Sequence, residues 1–90
     1  MNDLCVLGLG YIGLPTASIF ATKGKRVLGV DISPTMVETI NRGKIHIQEP
    51  DLDVLVRAAV QSGNLRAATV PAPAAVFILA VPTPFDVQPD

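Results

Sequence analysis

The glycine pattern Gly8-x-Gly10-x-x-Gly13 constrains this chain of 90 residues more than any other feature. It follows an apolar run at residues 4–7, and a run without alternation indicates a strand buried on both faces, as in a parallel sheet. Pro15 lies just after it, where the first turn of a helix tolerates proline. Glycines placed in this way between a buried strand and a helix are typical of the doubly wound α/β class.

The remaining segments continue to alternate between strands and helices. In the first helix, which ends at Gly24, one face at helical spacing carries Ile12, Thr16, Ile19 and Phe20. The further predicted elements are a strand at 26–30, a helix from Ser33 to Gly43, a helix from 49–51 to Gly63, and strands at 65–69 and 76–80. This order predicts an α/β fold: a Rossmann-type parallel sheet, ordered 3-2-1-4, with helices on both faces and incomplete at about four strands.

The connection between the last two predicted strands is short. Only residues 70–75 separate them, whereas neighbouring parallel strands need a crossover of about a dozen residues. The sequence leaves two alternatives open here, a very short third strand or a single helical turn at residues 73–75.

The glycine segment also carries the strongest functional signal, because its context matches a dinucleotide-binding fingerprint. Gly8 permits a tight turn, Gly10 lets a pyrophosphate approach the backbone, and Gly13 lets the helix pack closely on the strand. The start of the helix, beside Tyr11 and Ile12, offers free N–H groups and a positive dipole end to phosphates. The alternative is a glycine-rich packing turn that binds nothing.

An acidic residue stands where the fingerprint requires one. Asp31 ends the second predicted strand, 18 residues after Gly13, and can accept hydrogen bonds from the adenosine ribose hydroxyls. Its charge would repel a 2′-phosphate, and Ile32 supplies no arginine to bind one, so we expect NAD rather than NADP. The alternative role for Asp31 is helix capping alone.

Thr83 is the second candidate for cofactor binding. It follows the fourth predicted strand between Pro82 and Pro84, which would hold its loop stiffly. Strands 1 and 4 diverge at the switch point of a 3-2-1-4 sheet, so the Thr83 hydroxyl is expected to face the same crevice as Gly10. The alternative is an ordinary loop threonine.

No catalytic or metal-binding residue is predicted. Cys5 lies inside the first strand, where a free cysteine is most often a small buried hydrophobe. His46, the only histidine, is flanked by isoleucines, and a role in proton transfer is the alternative to a purely structural one. The acids Glu49, Asp51 and Asp53 fall at the start of a predicted helix, where capping explains them.

Composition excludes several classes of function. The net charge is −1 without a basic run, which argues against nucleic-acid binding. The apolar stretch at residues 74–81 is too short to span a bilayer, and no lysine or arginine precedes Lys23 as a secretory signal would require. A single cysteine fits a cytoplasmic location. Charged residues make up 17 % of the chain against a usual 25 % or so, which suggests surfaces covered by further segments.

Three segments resemble the start of the nucleotide-sugar 6-dehydrogenases, the UDP-glucose/GDP-mannose dehydrogenase family. They are Val6-Leu7-Gly8-Leu9-Gly10-Tyr11-Ile12-Gly13-Leu14-Pro15, Gly29-Val30-Asp31-Ile32 and Ile40-Asn41-Arg42-Gly43. Residues 46–52 and 81–85 are most similar to the UDP-N-acetyl-D-mannosamine dehydrogenase branch. Ala74 and Ala75 depart from the family, whose members often carry an acid there.

The resemblance implies a cytoplasmic enzyme that oxidises the C6 alcohol of a nucleotide sugar to a carboxylate with two NAD, through a cysteine thiohemiacetal. The cofactor residues that carry over are Gly8, Gly10, Tyr11, Ile12, Gly13, Asp31 and Thr83. Residues 1–90 would be the first part of the NAD-binding domain, with the catalytic and substrate domains and the oligomerising helix absent, so that the chain alone is inactive. UDP-glucose, GDP-mannose or UDP-N-acetylglucosamine are alternative substrates, and a non-catalytic dinucleotide-binding sensor is the alternative of another class.

Overall fold

The chain was analysed as a computed structural model that describes residues 2–46, 49 and 51–80. These residues form, in chain order, β1 Asn2–Leu7, α1 Gly13–Thr22, β2 Val27–Val30, α2 Pro34–Asn41, α3 Leu52–Gln61, β3 Leu65–Ala68 and β4 Ala74–Leu79. Every pairing is parallel and the strand order is β3-β2-β1-β4. The predicted α/β class and the 3-2-1-4 order are therefore confirmed.

Local sequence signals explain where the helices begin and end. The Ser33 hydroxyl caps α2 by accepting the Met36 N–H at 3.2 Å, and Pro34 occupies the first helical position. Gly43 and Gly63 follow α2 and α3 with φ of +76° and +81°. Glycine adopts this left-handed conformation at little cost, which ends both helices where the sequence predicts.

One face of the sheet packs against helices. Its core includes Leu4 and Val6 of β1 and residues from all three helices, namely Leu14, Ala17, Ala21, Val37, Ile40, Leu52, Val56 and Ala59. The predicted apolar face of α1 is wrong for Ile12 and Ile19, which are exposed, whereas Phe20 packs against the core as predicted. The fully buried side chains of this helix include Leu14 and the small Ala17 and Ala21. Small residues let this helix approach the sheet closely, which a search for large apolar residues overlooks.

The other face is covered differently. Its buried residues are Cys5, Leu28 and Val30, and Ala72 and Ala74 pack against them. Within the described part of the chain, this cluster contains no helical residue. Residues 69–73, hereafter the crossing segment, therefore provide cover on a face where the sequence predicts helices.

The strand order resolves the short connection. Strands β3 and β4 lie at opposite edges of the sheet, so they are not neighbours. Three strand spacings amount to about 14 Å, a distance that the crossing segment spans when extended. Ala74 and Ala75 belong to β4, so the helical turn considered for residues 73–75 is not formed.

A side-chain amide occupies the outer edge of β3. Asn41 donates to the Ala67 carbonyl at 2.9 Å and accepts the Ala67 N–H at 2.8 Å. Because β3 pairs only with β2 on its other side, the amide fills the position that a further strand would take. The edge nearest the end of α2 is thereby closed to strand addition at this residue.

Candidate dinucleotide-binding site

The glycine-rich loop begins directly after β1. Gly8 has φ of +105°, a conformation that other residues rarely adopt, and its N–H donates to the Val30 carbonyl at 2.7 Å. The turn is therefore tied to the end of β2. A tight turn at Gly8 was predicted from the sequence, and the structure has it.

Gly13 brings α1 against this turn. A Cβ atom at Gly13 would lie 1.6 Å from the Gly8 carbonyl oxygen and 3.3 Å from the Cβ of Ala80. No side chain fits there, so the close packing of helix on strand depends on glycine at this position. By contrast, a Cβ at Gly10 would meet no heavy atom of the described residues within 4 Å, apart from its chain neighbours, so these residues leave its backbone open to a ligand.

The start of α1 lies beside the glycine-rich loop with no side chain capping it. The Leu14 N–H donates to the Gly10 carbonyl at 3.1 Å, and the residue before the helix, Ile12, makes no side-chain capping bond. The side chains of Tyr11 and Ile12 are mostly exposed. The positive end of the helix dipole is thus directed toward the open side of Gly10, an arrangement that favours an anion.

Asp31 is held in place by the backbone. Its Oδ2 accepts the Leu9 N–H at 3.0 Å and its Oδ1 accepts the Ser33 N–H at 3.2 Å. A carboxylate oxygen has two lone pairs, so each retains an acceptor position for a ligand hydroxyl. Since α2 is capped by Ser33 rather than by Asp31, helix capping does not account for this acid.

Leu9 is the residue that the sequence reasoning missed in this loop. Leu9 is fully buried, and a Cβ atom added at Gly29 would lie only 2.7 Å from its Cδ2. The side chain packs on β2 while the N–H is bonded to Asp31. The loop is therefore fixed from both sides by contacts that span some 20 positions of sequence, a link that no local pattern shows.

A cleft of about 450 Å³ opens beside Asp31 at the carboxyl ends of the strands. Its lining consists of Leu7, Gly8, Val30, Asp31, Ile32, Thr69 and Pro71. Ile32 is 91 % exposed, and Asp31 is the one charged residue among the described residues of the lining. Thr69 and Pro71 come from the crossing segment, so the sequence alone gave no reason to include them. A mostly apolar cleft with one fixed acceptor suits an aromatic base attached to a ribose.

The other candidates fall outside this site. Thr83 lies outside the described residues. Cys5 is fully buried, as expected of a structural cysteine, and His46 is exposed. Asp53 lies in the first turn of α3 as expected, whereas Asp51 makes no side-chain capping bond and has a left-handed φ of +66°. The described residues contain no group of three or more His, Cys, Asp or Glu able to hold a metal ion.

Comparison with known proteins identifies the family. The profile described as UDP-glucose/GDP-mannose dehydrogenase family, NAD binding domain, matches residues 2–90. The chain belongs to this family. The matched domain binds NAD, in agreement with the cofactor predicted from Asp31 and the glycine-rich loop.

Individual relatives are similar over nearly the whole chain. The NDP-N-acetyl-D-galactosaminuronic acid dehydrogenase of Ralstonia nicotianae is 61 % identical over an alignment of 91 positions, which covers 99 % of this chain and 22 % of that protein. The UDP-N-acetyl-D-mannosamine dehydrogenase of Campylobacter jejuni is 60 % identical over 84 residues, 93 % of this chain and 21 % of that protein. The chain thus spans about a fifth of the length of these relatives.

Solved structures share the fold. The native UDP-N-acetyl-mannosamine dehydrogenase Cap5O from Staphylococcus aureus aligns with a TM-score of 0.90 at 45 % identity, over 96 % of this chain and 21 % of that one. The GDP-mannose dehydrogenase of Pseudomonas aeruginosa, solved as a ternary complex, aligns with a TM-score of 0.80 at 32 % identity, over 91 % and 20 %. The described helices include none long and apolar enough to cross a membrane.

Proposed function

We propose that this chain binds the adenosine and pyrophosphate portion of NAD for a nucleotide-sugar 6-dehydrogenase. The observation that carries the proposal is the placement of Asp31, whose fixed carboxylate stands beside both the glycine-rich loop and the apolar cleft. An anion-binding backbone and a hydroxyl acceptor are thereby combined at one end of the sheet, where ligands of such sheets bind.

Each part of the site matches one part of the cofactor. The pyrophosphate would lie over Gly10 at the start of α1, where the open backbone and the helix dipole favour its charge. The adenosine ribose would donate to the free acceptor positions of Asp31. The adenine would lie in the cleft against Ile32 and Pro71. We assign Gly8 and Gly13 to the shape of the loop, and Tyr11, Ile12 and Thr83 to the surroundings of the cofactor.

The reaction we propose is oxidation of the C6 alcohol of UDP-N-acetyl-D-mannosamine to the uronic acid, with two NAD consumed. When bound, NAD would serve as the hydride acceptor. The names of the relatives support a nucleotide-sugar substrate. UDP-glucose, GDP-mannose and UDP-N-acetylglucosamine are the alternative substrates.

The described residues bind and orient the cofactor rather than perform the chemistry. Cys5 is fully buried in β1, on the face of the sheet that Ala72 and Ala74 cover, so its thiol cannot reach a sugar. We therefore propose that the catalytic residues, the substrate domain and the contacts of a homo-oligomer belong to other parts of a longer cytoplasmic protein. The 90-residue chain alone should not form NADH from any nucleotide sugar.

The experiment is a calorimetric titration of NAD into the chain and into an Asp31→Ala variant. We expect at least tenfold weaker binding, because removing the carboxylate costs the ribose bonds and frees the Leu9 N–H. Asp31→Asn keeps one oxygen that can accept the Leu9 N–H, so this variant distinguishes weaker ribose binding from a loss of loop anchoring. Asp53→Ala is the matched control, since this exposed acid lies in the first turn of α3 and accepts the N–H of its neighbour Val54. Unchanged affinity in Asp31→Ala would refute the ribose assignment.

A further inference from the structure

A second cleft lies at the opposite end of the sheet from the glycine-rich loop. It has a volume of about 370 Å³ and opens where β1, β2 and β3 begin. Its lining residues are Asn2, Arg26, Val27, Ser62, Gly63, Asn64 and Arg66. Val27 is the only apolar side chain among them. The cleft is within the size range of small-molecule sites, about 300–1,000 Å³, and its lining selects a polar ligand.

The charge of this cleft is positive. Two arginines, Arg26 and Arg66, line it, and the described residues of the lining include no acid. Among the described residues, the one ion pair joins Arg42 to Glu38, so neither arginine of the cleft is neutralised by a carboxylate there. Asp3, which follows the lining residue Asn2 in the chain, accepts the backbone N–H of Arg26 with its Oδ2 at 2.9 Å.

The walls of the cleft are held by hydrogen bonds. The Asn64 side chain donates to the Ala21 carbonyl at 3.1 Å, and its backbone carbonyl accepts the Val27 N–H at 2.7 Å. Ser62 Oγ donates to the Ala59 carbonyl at 2.7 Å and accepts the Asn64 N–H at 3.2 Å. The turn between α3 and β3 is thereby fixed to both α1 and β2. A ligand would meet a formed site and would need to order only the two arginine side chains.

We propose that this cleft binds a small phosphate monoester. Two arginines that line one cleft concentrate positive charge there, and an anion bound between them would gain charge-assisted hydrogen bonds. Arginine presents its donors in a fork that fits phosphate oxygens. The cleft has room for more than a phosphate, and its amide and hydroxyl groups at Asn2, Asn64 and Ser62 suit the hydroxyls of a sugar.

The test is an amide NMR titration of the 90-residue chain with inorganic phosphate and, separately, with glucose 6-phosphate. We expect saturable shifts at residues 62–66 with both, and at least equal affinity for the sugar phosphate. Arg26→Gln and Arg66→Gln should each weaken binding at least fivefold. Asp3→Asn keeps an acceptor for the Arg26 N–H but removes a nearby negative charge, so it should tighten binding.

The control variant is Arg57→Gln, which removes the same charge from the exposed surface of α3. Glutamine keeps the Cβ and Cγ of Arg57, which lie beside Gly43. If Arg57→Gln weakened phosphate binding as much as the two cleft variants, net charge alone would explain their effect and the proposal would be overturned. Four other results would also overturn the proposal. They are the absence of saturable shifts, shifts confined to residues 8–13, failure of glucose 6-phosphate to bind, and amides at residues 62–66 that are unstructured before ligand is added.

Discussion

Replacing Gly13 by alanine should destabilise the fold, although alanine is the better helix former. The new Cβ would lie 1.6 Å from the Gly8 carbonyl oxygen, whereas real Cβ atoms essentially never approach a heavy atom within 3.0 Å. The start of α1 and the glycine-rich loop must therefore separate by at least 1.4 Å. Neither side can yield by rotating a side chain, because the obstruction is backbone.

The separation would open the core beneath the helix. Leu14 and Ala17 are fully buried in the same turns of α1, so moving the helix removes their contacts with the sheet. Overpacking of this kind costs about 1–3 kcal/mol, and the backbone obstruction places Gly13→Ala near 3 kcal/mol. With a urea dependence of about 1.5 kcal/mol per molar, the unfolding midpoint should fall by roughly 2 M.

The assay is urea unfolding followed by far-ultraviolet circular dichroism, with Gly10→Ala as the matched control. Gly10 has no positive φ and open space around its Cβ position, so this variant should keep its unfolding free energy within about 0.5 kcal/mol. It should nevertheless lose NAD affinity, because its methyl group occupies the space proposed for the pyrophosphate. A Gly13→Ala variant as stable as the parent would refute the packing argument.

Two further predictions concern stability. Asn41→Ala removes both hydrogen bonds to Ala67 and should lower the unfolding free energy by about 2 kcal/mol, measured by the same urea experiment. A loss below about 0.5 kcal/mol would contradict the view that this amide stabilises the edge of β3. Asp51→Gly should raise the unfolding free energy by about 0.5–1 kcal/mol, because Asp51 has a φ of +66° and makes no side-chain capping bond. A thermal midpoint that falls in this variant would show that the Asp51 side chain has a contact of its own.

The sequence predicted those features that depend on near neighbours. Helix ends at Gly43 and Gly63 follow from a local conformational preference, and the strand order follows from the alternation of elements. The prediction that Ile12 and Ile19 lie on the buried face of α1 is wrong, because the buried positions there include Ala17 and Ala21, whose small side chains allow close approach but supply little apolar area. Patterns of hydrophobicity give such small residues little weight.

Contacts between distant segments could not be predicted from patterns. The sequence placed Asp31 at a ribose, but its bond to Leu9 depends on how β1 and β2 align in the sheet. Thr69 and Pro71 enter the cleft because the crossing segment runs over the sheet between its two edges. The hydrogen bond from the Asn41 amide to Ala67 of β3 is a contact of the same kind, since 26 positions separate the two residues. Each of these contacts requires the assembled sheet.

The most direct test of the central claim is an amide NMR titration of the chain with ADP-ribose, which lacks the nicotinamide. If the chain binds the adenosine and pyrophosphate portion of NAD, saturable shifts should appear at residues 8–13 and 31–33, and at Thr69 in the cleft. Intact NAD should give the same pattern of shifts with similar affinity. Shifts confined to other regions of a folded chain, or none at millimolar ADP-ribose, would contradict the account.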